Sequence, residues 1–267
     1  MKSLIFKSTI LAAIVLAATL ASFGQAKGRI FDGETLAFEA RVSKLKISLA
    51  VAELTFAAVL KPDSNELIVK SEAVSKGTML KMFRYSFLQQ YQSVIDLDGF
   101  RILKTTKHDV QKQRVRDSEA VFDYKQKRVT YVETDPKDSN RPPRRIASEI
   151  SGQLNDMISA IYALRLNSLS VGKKLEFQVS DSGLVYKLPV IITGREQQKT
   201  LLGKVWCLRV EPEIFGTNRL IERKGKMVIW LTDDARHTPV KAQLDTEYGK
   251  VEIKLKSTAK KTAEPPA

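Results

Sequence analysis

The chain has 267 residues, one cysteine, two histidines and a formal charge of +14, from 44 Lys and Arg against 30 Asp and Glu. A single cysteine excludes an intramolecular disulfide, and one Cys and two His scattered along the chain exclude a zinc cluster of ordinary ligand spacing. The basic excess favours anionic partners such as lipid head groups or acidic glycans, or simply keeps a solvated surface soluble.

Met1 to Lys7 carries Lys2 and Lys7 and no acid, and the uncharged run TILAAIVLAATL follows from Thr9 to Leu20. Gly24 and Ala26 then supply small residues three and one before a cut. This order predicts a secretory signal over 1–26, cleaved after about Ala26, and a periplasmic or secreted mature chain. The apolar run falls well short of the roughly 20 residues a membrane span needs. Without Lys2 and Lys7, 42 basic residues face 30 acidic ones, a net +12. Export makes nucleic acid the least expected partner and leaves peripheral contact with a membrane open; nothing in the sequence specifies an oligomer.

Residues 27–255 read as one β-rich domain. Leu36, Phe38, Ala40 and Val42 line one face of a first strand, and Leu45, Ile47, Leu49 and Val51 continue it or begin the next. The parity then flips to Leu54, Phe56, Ala58 and Leu60, which predicts a bulge or bend between Ala50 and Ala52. Lys61 to Asn65 is a turn by composition, and Glu66 to Ala73 is the returning strand. Thr78 to Phe87 spaces Met79, Leu80, Phe83 and Phe87 as a short helix does. Further strands include Ala120 to Tyr124 and Arg128 to Val132, around the turn Lys125-Gln126-Lys127, and the stretch DPKDSNRPPRR from Asp135 to Arg145 is a loop. Leu154, Met157, Ile158, Ile161 and Tyr162 predict a second helix over Gly152 to Leu166, with Ser151 placed to cap it.

The remainder is almost all strand: Leu175–Val179, Leu184–Thr193, Lys204–Val210, Leu220–Arg223, Lys226–Leu231, Val240–Thr246 and Lys250–Leu255. Gly183, Gly194, Lys224-Gly225 and Tyr248-Gly249 mark turns between them. Tight turns without intervening helices imply antiparallel pairing. So many strands predict an α+β, mainly β fold: a curved antiparallel sheet forming a barrel or half-barrel, its open face or mouth covered by the second helix. Residues 256–267, KSTAKKTAEPPA, read as a disordered basic tail.

Catalytic signals are sparse. His108 lies in a strand-like stretch, His237 in a turn before Pro239, and Cys207 in the apolar run Val205–Leu208, where it reads as a buried small hydrophobe. No Gly-x-Ser-x-Gly elbow and no phosphate-cradling glycine loop occurs, so no cofactor or metal is expected. Asp96 to Gly99 reads as a turn before it reads as part of a calcium loop. Asp233-Asp234-Ala235-Arg236 reads as a β-turn in which aspartate bonds the backbone and Arg236 pairs with an acid. The functional alternative is a polar rim orienting an anionic or sugar ligand beside Trp230 as an apolar platform. Asp156, Ser159, Tyr162 and Arg165 form a stripe on the second helix, expected to pair Asp156 with Tyr162 or Arg165, or else to reach a ligand. The hypothetical ligand residues are therefore Trp230, Asp234, Arg236, Tyr162 and Arg165.

Phe31-Asp32-Gly33-Glu34 with Leu36 and Phe38, the helix Asp156 to Arg165, the run from Gly225 through Ile229-Trp230-Leu231-Thr232-Asp233-Asp234 to Pro239-Val240, and Tyr248-Gly249 with Val251 together resemble the exported bacterial domain of unknown function 3108. In that resemblance Asp156, Gly225, Pro239 and Gly249 are motif positions of structural weight. It implies an outer-compartment, Gram-negative setting and a mainly antiparallel fold with helical cover, and it brings no established activity. The family's first strand pair often carries a tryptophan and a glycine near the bend, and Lys44 to Val51 has neither. The outline is also similar to periplasmic lipoprotein carriers of the LolA and LolB type. The function expected first is thus non-catalytic: an envelope protein holding a lipid or another apolar-anionic ligand in the concave sheet. The alternative is an envelope scaffold or a protein- or glycan-interaction module. An enzyme acting through Asp233 and Asp234 comes last, because adjacent strand residues face opposite ways.

Overall fold

The computed structural model describes residues 28–44, 47–246 and 249–260, so the expected leader over 1–26, Tyr248 and the residues beyond 260 lie outside the described residues. After a 3-10 turn at Arg29–Phe31 the elements run β1 (Glu34–Lys44), β2 (Ile47–Leu60), β3 (Glu66–Ser75), α1 (Gly77–Phe83), β4 (Phe87–Asp96), β5 (Arg101–Gln111), β6 (Arg114–Asp123), β7 (Arg128–Thr134) and β8 (Arg144–Glu149). The helix α2 (Met157–Arg165) follows, then β9 (Lys174–Asp181), β10 (Leu184–Thr200), β11 (Gly203–Pro212), β12 (Gly225–Thr232), β13 (Pro239–Thr246) and β14 (Gly249–Lys260).

All fourteen strands form one antiparallel sheet, ordered β8-β7-β6-β5-β4-β3-β2-β1-β14-β13-β12-β11-β10-β9. Sequence neighbours pair throughout except β8 with β9, and the β1–β14 ladder joins the two halves. Strands β8 and β9 are consecutive in the chain yet form the two edges, because the chain between them goes into α2. That connection is why the curved sheet does not close. The seam is bridged instead by an extended segment: Ile150 N–H donates to Lys127, Ile102 N–H to the Leu154 carbonyl, and Asn155 exchanges bonds with Gln178 and Ser180 of β9.

The parity flip in β2 is a bulge. Ala40 faces Ala52 while Arg41 faces Ala50, which leaves Val51 as the extra residue. Further register shifts occur at Ala37/Phe38, Ile192/Gly194 and Trp230/Leu231. Bulges sharpen local twist, and their spread around the sheet supplies the coiling.

Several boundaries differ from the sequence reading. α2 begins at Met157, not Gly152, and its cap is Asp156, not Ser151. Residues 150–155 stay extended because they carry the seam's hydrogen bonds. α1 ends at Phe83, and Phe87 opens β4. Gly194 lies inside β10, where a bulge takes up its local geometry, so the hairpin turns only after Thr200. Leu220 to Arg223 is no strand; Ile221 makes a single bridge with Phe215. β14 runs to Lys260, pairing Thr258 with Leu36 and Lys260 with Glu34, so 256–260 belong to the sheet and not to a tail.

α2 lies against the concave side between two clusters. Ala160 and Leu164 pack with Leu188, Val190, Ile192, Leu208, Ile229 and Leu231. Tyr162 packs with Phe31, Leu67, Val69, Ile95, Ile102 and Val129, joined by the half-buried Ile158.

Candidate functional site

Both ends of α2 are tied to the sheet. Asp156 Oδ1 accepts the backbone N–H of Ile158 (3.1 Å) and Ser159 (2.6 Å), while Ser159 Oγ accepts the Asp156 N–H at 2.8 Å. This reciprocal pair is a capping box. The second carboxylate oxygen accepts the hydroxyls of Ser93 on β4 (2.5 Å) and Thr105 on β5 (2.7 Å). The expected pairing of Asp156 with Tyr162 or Arg165 does not form. Asp156 and Arg165 sit at opposite ends of a helix that rises about 1.5 Å per residue, and the side chains cannot span it.

Arg165 instead makes a two-pronged pair with Glu34 on β1, with both N–O distances 2.7 Å and both side chains buried. Its Nε donates to the Arg236 carbonyl at 3.2 Å, and its guanidinium lies 4.5 Å from the Phe31 ring centre and 5.2 Å from that of Tyr162. His237 Nδ1–H donates to the Arg165 carbonyl at 2.9 Å, and the Arg236 guanidinium stands 3.6 Å from Glu34. Asp234 Oδ1 accepts the backbone N–H of Arg236 (2.9 Å) and His237 (3.1 Å) and the hydroxyl of Thr232 (2.9 Å), which makes the expected aspartate turn.

Four of the five candidate ligand residues thus converge, and they converge on each other. Tyr162 is buried edge-on to Phe31 at 5.0 Å; burial pushes its phenol up, and its hydroxyl has no hydrogen-bond partner among the described residues. Trp230 is no platform for a ligand. It is buried in a cluster with Leu36, Phe38, Cys207, Val228, Val240 and Leu255, its indole N–H donates to Glu196, and Lys241 Nζ lies 4.5 Å over the ring. Cys207 in the same cluster is buried, and burial pushes its thiol up to about 11. Gly225 allows close approach, since a Cβ there would meet the Phe215 ring at 2.7 Å, and Gly249 holds a φ of +136° before β14. Pro239 opens β13, a position that needs no ladder donor.

The concave side is filled beside α2. α2 and the side chains around it occupy it, and the cavity beside the helix start, between Thr105, Phe122, Tyr131, Asp156 and Ser180, measures about 30 Å³, the scale of one water. A cavity of that volume beside α2 admits a water and no acyl chain.

Larger concavities lie elsewhere, one of them, of about 550 Å³, between Phe215 and Gly225. A trough of about 910 Å³ crosses β2 to β7, lined by Lys70, Glu72, Gln90, Thr106, His108 and Asp117 among others. Register places these six on the sheet face opposite α2, since Ser93 and Thr105, which bond Asp156, have the other parity. His108 Nδ1 lies 2.5 Å from Asp117 Oδ1 in that trough. Another, about 450 Å³, opens at the seam under the C-terminal half of α2, between the β4–β5 turn and β9. Gln153, Asn155, Asn167, Glu176 and Gln178 line it together with Phe100 and Phe177. Asn155 is buried there, and its Oδ1 has no hydrogen-bond partner among the described residues.

None of the seam residues was a candidate from sequence. Asn155 stands one residue before the cap, and Gln178 is a polar residue within a strand; only the pairing of 150–155 with β9 brings them together. The capping box was legible, as Asp156 three residues before Ser159 ahead of an apolar run. The Glu34–Arg165 pair, separated by 131 residues, left no spacing signal.

The chain belongs to the family described as protein of unknown function (DUF3108), whose model matches residues 38–256. No curated protein sequence matches it. It is similar to a β-barrel-like protein of the domain of unknown function DUF1849 from Brucella abortus, at 9% identity and a TM-score of 0.56, over 86% of this chain and 98% of that one. Weaker likenesses are to a Bacteroides fragilis protein with a YmcC-like fold (10% identity, TM-score 0.34, 86% and 96% coverage) and to the hypothetical protein CT021 of Chlamydia trachomatis (10%, 0.33, 91% and 96%). The first shares the fold, a curved β-barrel-like sheet.

Proposed function

We propose that this chain is an exported, non-catalytic binding protein of the cell envelope, and that its seam cleft takes a neutral, hydroxyl-rich ligand, a short glycan segment. The observation that carries this reading is the lining of that cleft, four side-chain amides and one carboxylate beside two phenylalanine rings. Amides donate and accept, so they suit hydroxyls that do both. Phe100 and Phe177 add apolar surface for the C–H faces of a sugar ring. Export rests on the charge, apolar run and small-residue order of 1–26.

The test is calorimetric titration of the purified protein with soluble envelope oligosaccharides. Gln153→Ala and Asn167→Ala should each weaken binding about five- to tenfold with the fold intact by circular dichroism. Absence of binding across the panel, or binding indifferent to both substitutions, overturns the reading. Lipid co-purifying from native expression would replace it.

A further inference from the structure

The three turns that link β3 to β4, β5 to β6 and β7 to β8 lie at one end of the sheet, and their charge is one-sided. Residues 76–86, 111–114 and 135–144 hold eight basic side chains, Lys76, Lys81, Arg84, Lys112, Arg114, Lys137, Arg141 and Arg144, against two acids, Asp135 and Asp138. The connections at the other end of the same strands, residues 61–65, 97–100, 124–127 and 150–156, hold three bases and three acids. The difference is therefore a property of one end and not of the chain's overall excess.

These turns form one continuous rim. Tyr85, just after α1, donates its hydroxyl to Gln111 at 3.0 Å, and Lys112 Nζ lies 5.6 Å from the Tyr85 ring centre. Lys137 Nζ donates to the Gln113 carbonyl at 3.2 Å, which ties the third turn to the second. Thr78 donates to the Ala50 carbonyl and seats α1 on β2. Of the eight cations, Lys76, Arg114 and Arg141 have acidic partners; Lys81, Arg84, Lys112 and Arg144 are exposed, with no acid within 4 Å among the described residues. Between those charges the α1 sequence GTMLKMF is apolar at four of seven positions.

We propose that this rim docks the protein on an anionic lipid surface, with the four unpaired cations at the phosphate level and α1 as the segment nearest the bilayer. Clustered cations next to a short apolar helix are the two ingredients that hold a peripheral protein at such a surface. The described residues contain no helix long and apolar enough to cross a membrane, so this attachment is one of contact. Docked this way, the seam cleft, at the opposite end of β4 and β5, faces away from the lipid. The docking argument stands without the glycan reading, since the two use no residue in common.

Vesicle co-sedimentation tests it, with the exported protein, its N-terminus read by mass spectrometry, and vesicles of phosphatidylcholine alone or with phosphatidylglycerol. The protein should bind only the mixed vesicles, and less as salt rises. Each rim cation contributes about fivefold in partitioning, so the quadruple variant Lys81→Gln, Arg84→Gln, Lys112→Gln, Arg144→Gln should lose on the order of a hundredfold or more. A control quadruple, Lys125→Gln, Lys127→Gln, Lys199→Gln, Lys204→Gln, removes as many exposed charges elsewhere and should lose far less. Equal losses in both variants, binding to neutral vesicles as strong as to anionic ones, or no binding to either, would each overturn the proposal.

Discussion

Arg165→Ala should be the most informative single change to stability. The guanidinium is fully buried and its Glu34 partner 3% exposed, with two bonds of 2.7 Å between them and a third from Nε to the Arg236 carbonyl. Removing the arginine leaves a buried carboxylate and a freed carbonyl. Breaking such a pair typically costs about 3–5 kcal/mol, far more than the pair itself contributes. Here the Arg236 guanidinium, 3.6 Å from Glu34, offers the stranded carboxylate a partial substitute, which places the expected loss at the low end, about 3 kcal/mol. In a domain of this size that lowers Tm by about 10 °C. Urea denaturation of the wild type, Arg165→Ala, Arg165→Met, Glu34→Leu and the double variant Arg165→Met/Glu34→Leu gives that loss and the full cycle. The double variant should recover most of the loss, because two apolar side chains of similar volume leave no charge unpaired. A single-variant loss below about 1 kcal/mol, or a double variant worse than either single, would refute the account of the pair as a buried lock.

Three further outcomes follow from the geometry. Gly183, at φ +81°, would place a Cβ 2.5 Å from the Tyr131 Cβ, so Gly183→Ala should cost about 2–3 kcal/mol in urea denaturation; Gly172→Ala, at φ +87° with open space around it, should cost only about 1 kcal/mol. Cys207, buried with its thiol pushed up to about 11, should react with a thiol reagent at pH 8 more than about a hundredfold slower in the folded protein than in urea. Glu39, whose carboxyl is held down to about 2 by its hydrogen bond with Lys76, contributes stability that is complete above about 4.5 and fades as pH falls toward 2. Glu39→Gln should therefore cost about 1 kcal/mol at pH 7 and almost nothing at pH 2, read from urea midpoints at both values.

Period-two alternation carried most of the sheet into view, because each strand buries one face. It even located the bulge, since an extra residue such as Val51 must invert the pattern beyond it. Alternation fails where both faces are buried, as through Val228 to Thr232, and where the chain is extended without a ladder partner on each side, as at 150–155. There Leu154 lies at helical spacing from Ile158 for reasons of burial alone, which lengthens the apparent helix. The candidate site fared worse. Arg165, Tyr162, Asp234 and Arg236 were recognisable as special, but sequence cannot tell a charge that waits for a ligand from one already satisfied by Glu34.

The open seam follows from how the chain is spent. A meander of fourteen strands could close edge to edge, but the residues between β8 and β9 form a helix that enters the concavity and is locked there at both ends. The helix occupies the concavity, and larger hollows lie outside the space it fills. At the seam α2, an edge strand and a turn from the opposite half meet, with polar side chains lining the cleft. The extended backbone at Asn155, pinned by its bonds to Gln178 and Ser180, holds its side chain at the wall of that cleft, and its buried Oδ1 has no hydrogen-bond partner among the described residues. Asn155→Leu separates the two explanations. If the acceptor is mere strain, the variant is more stable and otherwise unchanged; if it is the ligand's anchor, stability rises and oligosaccharide binding disappears.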